Sequence, residues 1–101
     1  MTSLREGQQN ANRPWAVYIV RCADDTLYTG ATNDVEARME AHNRGAGARY
    51  TRSRRPVTLL YTEYCESRSD ALSREHAVKR LTRAEKLKLA RNILVDPQRS
   101  G

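Results

Sequence analysis

Four groups of side chains in this chain have types and spacings that could do chemistry. The first is a carboxylate. With Leu72 as reference and about 100° per residue, Ala71 projects near about 260°, Val78 near about 240° and Glu75 near about 300°, so Glu75 falls inside an apolar arc. A lone inward carboxylate is costly unless it is paired or holds a metal, and the pattern leaves both readings open. The second is Arg38 and His42, one helical turn apart and within about 40° of each other. They offer an anion-binding fork beside an imidazole, or simply a snorkelling Arg and a half-buried His. The third is a pair of phenols, Tyr18 and Tyr28, which could equally be core tyrosines. The fourth is RGAGARYTRSRRP, which places Arg44, Arg49, Arg52, Arg54 and Arg55 around Gly45, Gly47 and Tyr50. No acidic residue occurs from Ala41 to Tyr61. Such a mobile basic loop could bind a phosphate backbone and stack a base, or be only a solvated loop.

The elements that must position these groups are readable in order. WAVYIVRCADDTLYTG predicts a hairpin with strands of roughly 15–22 and 27–31. Side chains alternate faces along a strand, so the loop length decides whether Tyr18 and Tyr28 share a face. A three-residue loop, Ala23 to Asp25 or Asp24 to Thr26, puts them together with Gly30. It needs a left-handed residue at its end, which Asp tolerates. A helix from about Asp34 to Asn43 follows, capped by Asn33 with Glu36 in a capping box and stopped by Gly45. Val35, Met39 and His42 mark its buried face. Val57 to Cys65 predicts a third strand, and Ser67 caps the helix that carries Glu75. Thr82 and Glu85 open a last helix of roughly 83–94, with Leu87, Ala90 and Leu94 as its stripe. The expected fold is α+β: a small three-stranded antiparallel sheet on one side and about three helices on the other. Residues 1–13 are expected to be a disordered lead-in, 14–94 one domain, and 95–101 a flexible tail.

Composition narrows the partner. The chain has 101 residues and a net charge of +6. Of its 18 cations, 15 are Arg, whose planar fork matches phosphate better than an ammonium does. No apolar run approaches the length of a membrane span, and MTSLREGQQNANRP lacks the apolar segment of a signal peptide. A cytoplasmic setting is therefore expected, with Cys22 and Cys65 reduced. Two Cys and two His are scattered without zinc-ligand spacing.

Taken together the motifs resemble the GIY-YIG nuclease domain in its short, single-domain bacterial form, over about Trp15 to Ala90. Ala16-Val17-Tyr18 stands at the first motif and keeps its Tyr; Tyr28-Thr29-Gly30 stands at the second and keeps Tyr and Gly. RMEAH (38–42) resembles the segment of the catalytic Arg and the His one turn on, and SREHAVKRL (73–81) the segment of the metal-binding Glu. CADDTLYTGAT, HNRGAGARYTRSRRPV and ALSRE fit the same order and spacing. The resemblance implies a metal-dependent endonuclease that hydrolyses phosphodiester bonds, with DNA favoured and single strands included. Tyr18, Tyr28, Arg38, His42 and Glu75 would be catalytic and surround one concave pocket. Glu75 would hold one Mg²⁺ (or Mn²⁺), and Arg38 would stabilise phosphate charge. The base would be Tyr18, its pKa lowered by a cation, or else His42. Arg44, Arg49, Arg52, Arg54, Arg55 and Lys79 would bind nucleic acid, and Gly30 is a structural motif position. The alternative is a catalytically inactive nucleic-acid-binding module on the same scaffold.

Overall fold

The computed structural model describes residues 13–100, with side chains described through residue 91; of the lead-in expected at 1–13, residues 1–12 lie outside the described residues. Strands β1 (Trp15–Arg21) and β2 (Leu27–Thr32) form the hairpin. Helix α1 (Val35–Arg44) and a single turn, α2 (Arg49–Arg52), lead into β3 (Thr58–Cys65), and α3 (Arg68–Lys79) and α4 (Arg83–Ser100) complete the order. The sheet is antiparallel with strand order β2-β1-β3, so the first strand is central.

The hairpin register places Tyr18 opposite Gly30 and Val20 opposite Tyr28. Tyr18 and Val20 are two residues apart, so both tyrosines and Gly30 are on one face. The loop is the odd-length one: Cys22 N–H donates to the Thr26 carbonyl at 2.8 Å, enclosing Ala23 to Asp25. Asp25 ends it in the left-handed region at φ 71°.

Helices cover both faces of the sheet, which corrects the expected two-layer arrangement. On one face Val17 and Ile19 pack with Tyr61 and with Ala71, Val78 and Ala90 of α3 and α4. On the other, Tyr18, Val20 and Cys22 pack with Val57 and with Met39 of α1. The physical reason is the unbroken apolar run Ala16–Val20, buried throughout. A strand that is apolar at every position must be covered twice.

Local starts and stops differ in detail. The cap of α1 is Asp34, one residue later than expected: its carboxylate accepts from Ala37 N–H at 3.1 Å. Gly45 ends α1 at φ 86°. Ser67 caps α3, and Thr82 and Glu85 exchange reciprocal bonds of 2.8 and 3.2 Å at α4. Leu72, taken as a core reference, is 40% exposed; Ala71 and Val78 form the buried edge instead. Helix α4 runs through Ser100. Once nucleated, each further residue adds a bond.

Candidate active site

Gly30 decides how close β2 can come to Tyr18. A Cβ at this position would overlap the Tyr18 hydroxyl and ring. Without it, the phenol of the central strand lies across the edge strand and points at α1. There it meets two α1 side chains one turn apart. Arg38 Nε donates to Tyr18 Oη at 3.3 Å, and Tyr18 Oη lies 2.8 Å from His42 Nε2. The second imidazole nitrogen, Nδ1, lies 2.8 Å from Thr51 Oγ1 on α2. Tyr28 flanks this line edge-on, its ring centroid 5.5 Å from that of His42 and 6.5 Å from that of Tyr18. Tyr18, His42 and Thr51 are fully buried, whereas Tyr28 and Arg38 are partly open to solvent.

The electrostatics differ from expectation at Tyr18. Burial pushes its phenol above the usual tyrosine value, and the Arg38 hydrogen bond and charge only partly oppose this. The expected lowering by a cation is therefore outweighed by desolvation. His42 is held below its ordinary value, first by burial and then by the Arg38 charge, so it stays neutral at pH 7. Arg38 is raised, chiefly by its bond to Tyr18.

Glu75 approaches from α3, which packs on the opposite face of the sheet. Its charge still acts on the site, raising both Tyr18 and Arg38. Its side chain is 18% exposed, and Oε2 takes an ion pair from Lys79 at 3.2 Å. Of the five residues expected around one pocket, Tyr18 meets Arg38, His42 and Tyr28, and the Glu75 charge acts on Tyr18 and Arg38. Among the described residues no three His, Cys, Asp or Glu side chains cluster. A single carboxylate nonetheless suits Mg²⁺, which keeps most of its waters and takes one or two protein oxygens.

The basic segment is more structured than a loop. Arg54 bonds Asp24 at 3.0 Å, donates to the Tyr50 carbonyl at 2.8 Å and lies 3.9 Å over the Tyr50 ring. Tyr50 also stacks on Tyr28, centroids 5.9 Å apart, so its ring is engaged within the fold rather than held out for a base. Arg55 donates to the carbonyls of Arg52 and Asn43 at 2.8 and 3.5 Å. Arg44, Arg49 and Arg52 project into solvent with no ion pair among the described residues. Lys79, expected on nucleic acid, sits on Glu75. Sequence reasoning missed Thr51 and Gly47. A Cβ on Gly47 would overlap the His42 ring, and nothing in the spacing of GAGARYT marks either residue as a neighbour of His42.

Three comparisons bear on the site. The GIY-YIG catalytic domain family matches residues 14–88. A UPF0213 protein of Staphylococcus aureus is 58% identical over 73 residues, 72% of this chain and 89% of that protein. Among solved structures, the protein EF2693 from E. faecalis, determined by solution NMR, is 38% identical with a TM-score of 0.58, covering 83% of this chain and 90% of that one. A UPF0213 protein of Bacillus halodurans, also an NMR structure, is 43% identical over 74% of this chain and 80% of its own, with a TM-score of 0.48.

Proposed function

The chain belongs to the GIY-YIG catalytic domain family, and from that premise we propose that it is a metal-dependent endonuclease that hydrolyses phosphodiester bonds of nucleic acid, DNA in preference. The family points to the nuclease class and to a nucleic-acid partner. The observation that carries the finer reading is the unbroken line from Arg38 through Tyr18 to His42, with Tyr28 alongside.

Phosphodiester cleavage needs a proton taken from water and charge stabilised on phosphate. Arg38 supplies the second with a guanidinium fork. It also guards the first, because its bond caps the buried Tyr18 hydroxyl. At 3.3 Å this is the longest contact in the line. A phosphate that draws Arg38 away uncovers the phenol to the attacking water. A buried phenol of raised pKa is a poor phenolate at pH 7 but a good conduit. Tyr18 takes the water proton as it passes its own to neutral His42. Water oxygen bonds to phosphorus, the ester oxygen departs and is protonated by solvent, and His42 is left as imidazolium. Tyr28 orients the phosphate. Glu75 is the residue that would hold Mg²⁺ or Mn²⁺, which when bound supplies Lewis-acid stabilisation of the phosphate. Arg44, Arg49 and Arg52 serve as the phosphate-contacting cations. An open cleft of about 430 Å³ beside them is lined by Asn43, Arg52, Ser53, Arg55 and Pro56. The proposed setting is cytoplasmic; no described helix is long and apolar enough to cross a membrane.

A second reading, an inactive nucleic-acid-binding module, is favoured by two observations: Tyr18 and His42 have no exposed surface, and Glu75 already carries Lys79. Labelled single- and double-stranded DNA and RNA incubated with Mg²⁺, Mn²⁺ or EDTA separate the two. Cleavage that needs a divalent ion and disappears in Tyr18→Phe and Glu75→Ala supports the enzyme. Tight binding without cleavage in any condition supports the module.

A further inference from the structure

The hydrogen bonds around His42 fix more than its position. Arginine has no acceptor, so Arg38 Nε–H donates to Tyr18 Oη, which keeps its own proton and one lone pair for His42 Nε2 at 2.8 Å. On the far side of the ring, Thr51 Oγ1 donates to the Ala48 carbonyl at 3.0 Å and accepts from Ala48 N–H at 3.4 Å. A hydroxyl has one proton. Placed on the Ala48 carbonyl, which also accepts from Arg52 N–H at 3.1 Å, it leaves Thr51 an acceptor for the imidazole, with the hydrogen on Nδ1 and Nε2 bare. With the Thr51 proton on Ala48, the alternative tautomer would put two lone pairs face to face at Nδ1.

We propose that Thr51 is a positioning residue, whose hydroxyl locks His42 as the Nδ1–H tautomer and so keeps Nε2 open to the Tyr18 proton. The turn that carries it is built for that contact. Gly47 lets the backbone lie against the His42 ring, since any side chain there would overlap Nδ1 and Cγ. Ala48 offers both its N–H and its carbonyl to the threonine. The groups facing His42 are Arg38 from α1, Tyr18 and Tyr28 from the two hairpin strands and Thr51 from α2; Tyr18 and Thr51 are those hydrogen-bonded to its ring. Losing Thr51 frees the ring to place its hydrogen on Nε2, where it donates to Tyr18 and blocks the path a water proton would follow. The catalytic consequence rests on the nuclease reading; the tautomer does not.

The test joins a spectroscopic readout to kinetics. In ¹⁵N-labelled wild-type protein near pH 7.5, His42 Nε2 should give a pyridine-type signal and Nδ1 a pyrrole-type signal. Thr51→Val, close in shape, should exchange the two assignments and lower kcat by roughly 10- to 100-fold, by analogy with partners that orient metal-ligating imidazoles, with KM unchanged. Thr51→Ser should restore both. A wild-type ring already protonated on Nε2, or a Thr51→Val protein that keeps its Nδ1–H and wild-type kcat, overturns the proposal. If wild type cleaves nothing while its ring is Nδ1–H and exchanges in Thr51→Val, the nuclease reading fails and the role of Thr51 stands.

Discussion

On the proposed reading Glu75 and Arg38 would present opposite charges to one phosphate, so their removal should agree on rate and differ in sign on affinity. Glu75→Ala should abolish cleavage in Mg²⁺, while binding measured in EDTA survives or tightens. Arg38→Ala should also stop turnover and bind slightly less well. Glu75 pairs with Lys79 across one helical turn, and the lysine is 51% exposed. Its loss should therefore change stability by no more than about 0.5 kcal/mol. A Glu75→Ala protein that cleaves at the wild-type rate refutes the assignment. Gly30→Ala tests the other side of the site: the new methyl must displace the Tyr18 phenol, costing about 1–3 kcal/mol, with loss of activity. At this scale the sequence was informative where one periodicity settles the question. Loop parity put Tyr18 and Tyr28 on one face, and helical spacing put Arg38 beside His42. Thr51 was illegible because its contact crosses a turn whose path depends on Gly47 and on Arg54, neither of which has a period.

At the scale of elements, the basic segment divides into two sets of arginines. Arg54 and Arg55 hold the segment to the hairpin loop, to α1 and to itself. Arg44, Arg49 and Arg52 are unpaired among the described residues. Replacing the last three together with Ala should flatten the slope of log K against log salt by about 2–3, at about 0.7–0.9 for each phosphate left unneutralised, with little change in melting temperature. Arg54→Ala should do the reverse, lowering the melting temperature more than the salt slope. An unchanged slope in the triple variant would place the phosphates on another surface, such as the lysines of α4. Composition showed that this stretch was cationic. It could not show which guanidiniums are engaged internally, because their partners, Asp24 and main-chain carbonyls, are distant in sequence or present everywhere. The same limit explains the misplaced layer: strand alternation located the hairpin faces, but only the continuous burial of β1 shows that both faces are covered.

For the molecule as a whole, the buried Tyr18–His42 pair makes folding sensitive to pH at both ends. His42 is depressed in the folded state, so below about pH 6.5 the unfolded chain binds a proton that the folded chain refuses. Stability should fall as pH drops from about 6.5 and level off once pH passes the lowered value. Tyr18 is raised, so stability should fall again as pH climbs above about 10. Denaturation of wild type and His42→Gln between pH 7 and 5 checks the acid limb, and parallel curves would discount it. The strand order has a further consequence, during synthesis. β1 is first in the chain yet central in the sheet, so the hairpin can close on one of its edges while the other waits for Thr58–Cys65. At about 5–20 residues per second, the ribosome leaves the apolar edge Ala16–Val20 uncovered for roughly seconds. Open, apolar and free of charge, it is a template for pairing with other nascent chains. A fragment ending before Thr58 should sediment under conditions where the full chain remains dispersed, and a dispersed fragment would show that the hairpin protects its own edge.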